Sequence, residues 1–218
     1  MSRIIGGVCT LILVVLFTPA LTRADPLVVT GGTITVTGIL GGPLGSLTGN
    51  NFVITGLGGG TGSFTPQQCF PCSPGSTLGI TGLFQGSTLG AGSANINGTL
   101  FSNIGWGGQM FLNGGSIVVP SVLENVTITV PFTFTATLNG CSVNCVNNPV
   151  IFTVQLVGSG AATLELDFIT IAGRPLFQFQ QATFQFEEVP EPASILLLGG
   201  GLAVLTAKLR RRPSSQNE

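Results

Sequence analysis

The chain has 218 residues, only 7% of them charged, and a formal net charge of −1. It holds 33 glycines and no histidine or tyrosine. Without histidine, a Ser-His-Asp triad is excluded, and the commonest general base and a common metal ligand are missing.

The basic residues are unevenly placed. Arg3, Arg23, Lys208, Arg210, Arg211 and Arg212 lie near the two ends, and Arg174 alone lies between. Against Arg174 stand Asp25, Glu124, Glu165, Asp167, Glu187 and Glu188. One positive and six negative charges give this central region about −5, with no electrostatic footprint for nucleic acid.

The N-terminus reads as a secretory signal peptide over 1–24. Arg3 precedes an apolar stretch from Ile4 to Phe17, and Pro19, Ala20 and Ala24 follow. Cleavage is expected after Ala24, with Ala20 as the alternative. Residues 25–188 then form a single exported domain, long enough for a sizeable core.

This domain reads as short strands between glycine-rich turns. Val28 to Thr30, Gly31-Gly32 and Thr33 to Thr37 suggest a hairpin. Phe52 to Thr55, Leu78 to Phe84, Ala94 to Phe101, Gln109 to Leu112 and Ser116 to Val119 are further candidates. From Val126 to Leu138 apolar residues alternate without a slip with threonines and Pro131. One face of that strand should be buried, with Pro131 marking an edge or bulge. Val150 to Val157 follows, then a Gly158-Ser159-Gly160 turn, then Ala162 to Ile171. Leu176 to Glu187 closes the domain, with a bulge near Gln180-Gln181 where the apolar parity changes. About ten short strands predict an all-β fold: a single β-sandwich, with a jelly roll as one arrangement of it.

The C-terminal segment 189–218 has three parts. Val189, Pro190, Glu191 and Pro192 are held extended by the two prolines. Residues 193–207 form an apolar run of 15 residues. As a helix this is roughly 22 Å long, against a hydrocarbon core of about 30 Å. Lys208, Arg210, Arg211 and Arg212 extend it by snorkelling and mark the cytoplasmic side. The expected architecture is thus a β-domain between a signal helix and a C-terminal transmembrane helix.

The order of motif, helix and basic stop resembles the PEP-CTERM sorting signal of exopolysaccharide-producing Gram-negative bacteria. That resemblance implies export, a transient anchor in the inner membrane, and cutting near the motif by an exosortase. The implied partners are the export machinery, an exosortase-type processing enzyme, the membrane and exopolysaccharide. The implied destination is the cell surface or extracellular matrix.

Cys9 leaves with the signal peptide, so four cysteines remain. An even number in an exported chain implies disulfides, with three possible pairings. Two local bridges, Cys69–Cys72 and Cys141–Cys145, are the favoured one. No cofactor or metal is implied. Glu165 and Asp167 lie two apart on one strand face, where they cannot straddle a glycosidic bond. Trp106, flanked by glycines, is either a core residue or a platform for a sugar ring. The leading expectation is a non-enzymatic structural or adhesive protein associated with exopolysaccharide. A carbohydrate-binding module using Trp106 is the alternative, and a carboxylate-based glycoside hydrolase a more distant one.

Overall fold

The alternation read from Val126 onward continues through most of the chain in the computed structural model, which describes residues 26–38 and 41–188. Its strands are β1 (Leu27–Thr37), β2 (Pro43–Gly49), β3 (Phe52–Leu57), β4 (Thr61–Phe64), β5 (Thr77–Ile96), β6 (Thr99–Val118), β7 (Val126–Cys141), β8 (Val150–Ile171) and β9 (Arg174–Glu187). They form one sheet in the order β3-β2-β1-β9-β8-β7-β6-β5-β4. Pairing of β3 with β5 bends this sheet round until it meets itself. Eight strands close into a barrel, and β4 takes the other end of the same edge of β5.

The all-β expectation holds, but the sandwich gives way to a closed barrel. The physical reason is strand length. Glycines predict short strands, whereas β5, β6 and β8 run through theirs for 20, 20 and 22 residues. Gly31-Gly32 is no hairpin turn: β1 passes through it with a bulge between Val29 and Gly31. Gly158-Ser159-Gly160 is no turn either but the middle of β8. A Cβ on Gly158 would meet Val29 at 3.0 Å and Phe186 at 3.1 Å, and one on Gly160 would run into the Gln185 carbonyl. These glycines let neighbouring strands and rings approach closely. Ala94 to Phe101, expected as a strand, is instead the tip of the β5–β6 hairpin. Asn97 and Gly98 both have positive φ there, 52° and 81°, as a tight hairpin turn requires.

Other details follow the sequence. The register slips between Glu165 and Leu166 opposite Gln181 and Phe179, leaving Gln180 as the bulged residue. Pro131 pairs with Ala161 on one side, while the β6 ladder on its other side ends at Thr133. Its missing N–H is therefore tolerated at a local edge. Among the described residues no helix is long and apolar enough to cross a membrane. The expected signal helix and the expected span at 193–207 lie outside those residues.

Inward residues fill the barrel, as eight strands allow. Phe134, Phe186, Phe132, Phe184, Phe64 and Phe179 form a continuous chain of rings. The Phe132–Phe184 and Phe132–Phe186 centroids are both 5.0 Å apart, with rings near perpendicular. Each such edge-to-face pair adds about 0.5–1.5 kcal/mol beyond the burial itself. Outward positions on β7 from Thr127 to Thr137 are threonines apart from Pro131, so this strand is apolar towards the core and polar outside.

Close approach at Gly160 predicts that Gly160→Ala lowers unfolding free energy by roughly 1–3 kcal/mol. Gly79→Ala would meet only Thr65 at 3.5 Å. That variant should stay within about 0.5 kcal/mol of the parent in urea denaturation.

Candidate functional site

The barrel ends where the sorting segment begins. β9 keeps its ladder with β8 as far as Glu187, opposite Ser159. Just beyond, the start of β1 takes over the edge of β8, with Leu27 against Leu156 and Val28 against Val157. The edge of β8 just beyond the partner of Glu187 is thus already occupied by β1. Both ends of the described body depart from neighbouring points on β8, three residues or roughly 10 Å apart. Glu187 and Glu188 are exposed at this exit. Val189, Pro190, Glu191 and Pro192, the basic stop at Lys208 and Arg210 to Arg212, and the cleavage residue Ala24 lie outside the described residues.

Both disulfides are present as the local pairs Cys69–Cys72 and Cys141–Cys145. Each bridge shapes a loop that covers an interruption in the sheet. β1 stops pairing with β9 at Gln181, leaving the β9 backbone near Phe177 without that neighbour. The first loop replaces it: Phe177 N–H donates to the Cys72 carbonyl (2.9 Å), and Phe179 N–H to the Cys69 carbonyl (3.0 Å). The second loop lies over the bulge between Gly86 and Gly90 in β5, where Cys145 N–H donates to the Ser87 carbonyl at 3.2 Å.

Trp106, considered above as a sugar platform, has no exposed surface. Its ring is met edge-on by Phe52 at 6.5 Å and Phe152 at 5.7 Å. Its indole N–H has no hydrogen-bond partner. A ring enclosed in this way cannot stack on a surface ligand, so its placement supports the core reading instead. The glycines beside it mark crowding: a Cβ on Gly107 would meet Cys145 Cβ at 3.0 Å.

Glu165 and Asp167 lie on the outer side of β8. Gln181 donates to Glu165 at 2.9 Å, and Gln180 donates to Asp167. The two carboxylates are thus engaged by amides of the adjacent strand. Among the described residues no cluster of three or more His, Cys, Asp or Glu could hold a metal.

One arrangement was not read from the sequence. Register places Thr61, Gln85, Gln109, Thr137 and Gln155 opposite one another across five strands. All five are exposed, and Gln109 donates to Gln85 at 3.3 Å. Their outward parity within β5 to β8 was a readable signal, but their alignment depends on strand pairing.

Residues 188–212 match the family model of the PEP-CTERM protein-sorting motif. The match marks an exported protein targeted to an exosortase, a membrane enzyme. In particular, this chain carries a PEP-CTERM sorting motif starting one residue after the last residue of β9. No curated protein and no solved structure matches the chain.

Two outcomes are expected. Trp106→Ala should cost roughly 3–5 kcal/mol in chemical denaturation, as removal of an enclosed aromatic does. Replacing Cys69 and Cys72 by serine closes no loop, so hydrogen exchange at the Phe177 and Phe179 amides should accelerate. The global loss should stay near 2 kcal/mol, because the loop is short.

Proposed function

We propose that the protein is a non-enzymatic structural or adhesive component of the extracellular polysaccharide matrix. On this reading it is exported, held briefly in the inner membrane, cut by an exosortase and left at the cell surface or in the matrix. One observation carries the proposal: the matched sorting motif begins at Glu188, directly after the last ladder pair of the barrel. Cutting at Val189 to Pro192 would leave all nine strands of the described residues intact. The sorting element is therefore separable from a body whose β8–β9 ladder ends before it begins.

The non-enzymatic part of the proposal has its own support. The paired carboxylates of β8 are bound to neighbouring amides on an open wall. A wall rich in threonine and amides, with few charges, suits a long-lived component in contact with hydrated polymer.

The test is processing in a host that makes exosortase. The full chain should yield a shortened extracellular product, while Glu191→Ala with Pro190→Ala should accumulate uncut in the membrane fraction. An uncut parent chain in that host, or unchanged processing of the double variant, would refute the proposal. Immunoblotting of membrane and medium fractions against the barrel reads both.

A further inference from the structure

The outer wall carries three clefts that share their lining. The first, about 610 Å³, lies where the tip of the β5–β6 hairpin and the β2–β3 turn meet the start of β1. Asn51, Asn95 and Asn97 line it, together with Thr153 and Gln155. The second, about 300 Å³, includes Gln109, Thr137 and Gln155. The third, about 770 Å³, includes Gln85, Gln109 and Asn139. Thr137 belongs to all three, so they form one groove.

The groove runs across the strands rather than along them. Its floor is the register row Thr61, Gln85, Gln109, Thr137 and Gln155. Four strand spacings make that row roughly 19 Å long. One bank is the adjacent outward row of Leu83, Phe111, Thr135 and Val157, in which Leu83 and Phe111 are 45% and 41% exposed. The other bank holds Asn139, which accepts a hydrogen bond from Thr153 at 2.7 Å. An amide row therefore runs beside an apolar one.

This chemistry selects among ligands. No residue lining the three clefts is ionisable, since Cys145 is held in its disulfide. A polyanion would find no positive charge to attract it. An extended peptide adding as a strand would need a free sheet edge. Here β5, β6 and β7 are paired on both sides beneath the row, and the open edges lie only at its two ends, at β4 and at β8 before Leu156, where a chain lying across the strands does not run along them. Amides and hydroxyls both donate and accept, as sugar hydroxyls do. The apolar bank offers a surface for the C–H face of a sugar ring.

We propose that this groove binds a single chain of an uncharged polysaccharide, with Gln85, Gln109, Thr137 and Gln155 as the hydroxyl-binding row. The inference rests on the matrix role proposed above and gives it a site and a ligand class. It replaces the buried Trp106 with an exposed amide row as the recognition element.

Affinity electrophoresis of the full chain in detergent tests it. The gels contain hydroxyethylcellulose or dextran as neutral polymers, or alginate as a polyanion. Retardation is expected in at least one neutral gel and none in alginate. Gln109→Ala combined with Gln155→Ala should weaken the neutral interaction by about tenfold, the loss expected for two hydrogen-bonding side chains. Thr127→Ala, on the outer side of β7 away from the groove, should bind as the parent does. Equal urea midpoints for all three proteins show that folding is unchanged. No retardation in either neutral gel, stronger retardation in alginate, or parent-like binding of the double variant would overturn the proposal. Exosortase processing is read separately by fractionation. Normal processing without binding removes the groove and leaves the export reading intact; binding without processing does the reverse.

Discussion

Closure of the sheet depends on a short seam. Only four residue pairs join β3 to β5, from Phe52 opposite Ala94 to Thr55 opposite Ala91. Without them, the edge of β3 and the facing stretch of β5 would meet water, and exposed edges invite pairing with other chains. Several features hold the seam. Asn95 N–H donates to the Asn51 carbonyl at 2.7 Å and extends the ladder by one bond. Gly92 has no Cβ to strike the Val53 carbonyl. Beneath the seam, Trp106 of β6 links Phe52 of β3 to Phe152 of β8 by edge-on contacts. One indole thus ties together strands on both sides of the join. In a chain with so few charges to discourage edge pairing, closing the ring is also the main protection against aggregation.

Local patterns in the sequence were readable where the structure that they determine is local. The strict alternation from Val126 to Leu138 yielded β7 and its buried face. The parity change near Gln180 yielded a bulge, and cysteine spacing yielded both bridges. Closure was not readable, because it joins β3 to a strand some forty residues away. Glycine is where local pattern and structure part. Its turn preference is a local property, whereas Gly158 and Gly160 answer to Val29, Phe186 and Gln185 on other strands. Asn97-Gly98 carries a strong turn dipeptide, yet the apolar and β-branched residues on either side of it mimic one continuous strand.

The same distinction governs the candidate site. The sorting motif is a linear signal and was legible in full from residues 189–212, in agreement with the matched segment. Trp106 drew attention as the one tryptophan, and its flanking glycines suggested an open setting. They instead make room for the loop closed by Cys141–Cys145. The amide row escaped notice for the opposite reason. Each of Gln85, Gln109 and Gln155 is unremarkable alone, and only register sets them side by side.

The exit of the chain at Glu187 has a mechanical consequence. β9 is laddered to β8 along most of its length and to β1 from Thr33 to Thr37. A pull on the C-terminus along β9 would load both ladders in shear, so that many hydrogen bonds must fail together. A pull outward from the wall would peel them one at a time. The direction in which the tail is drawn thus sets how much force the body withstands while it is still tethered.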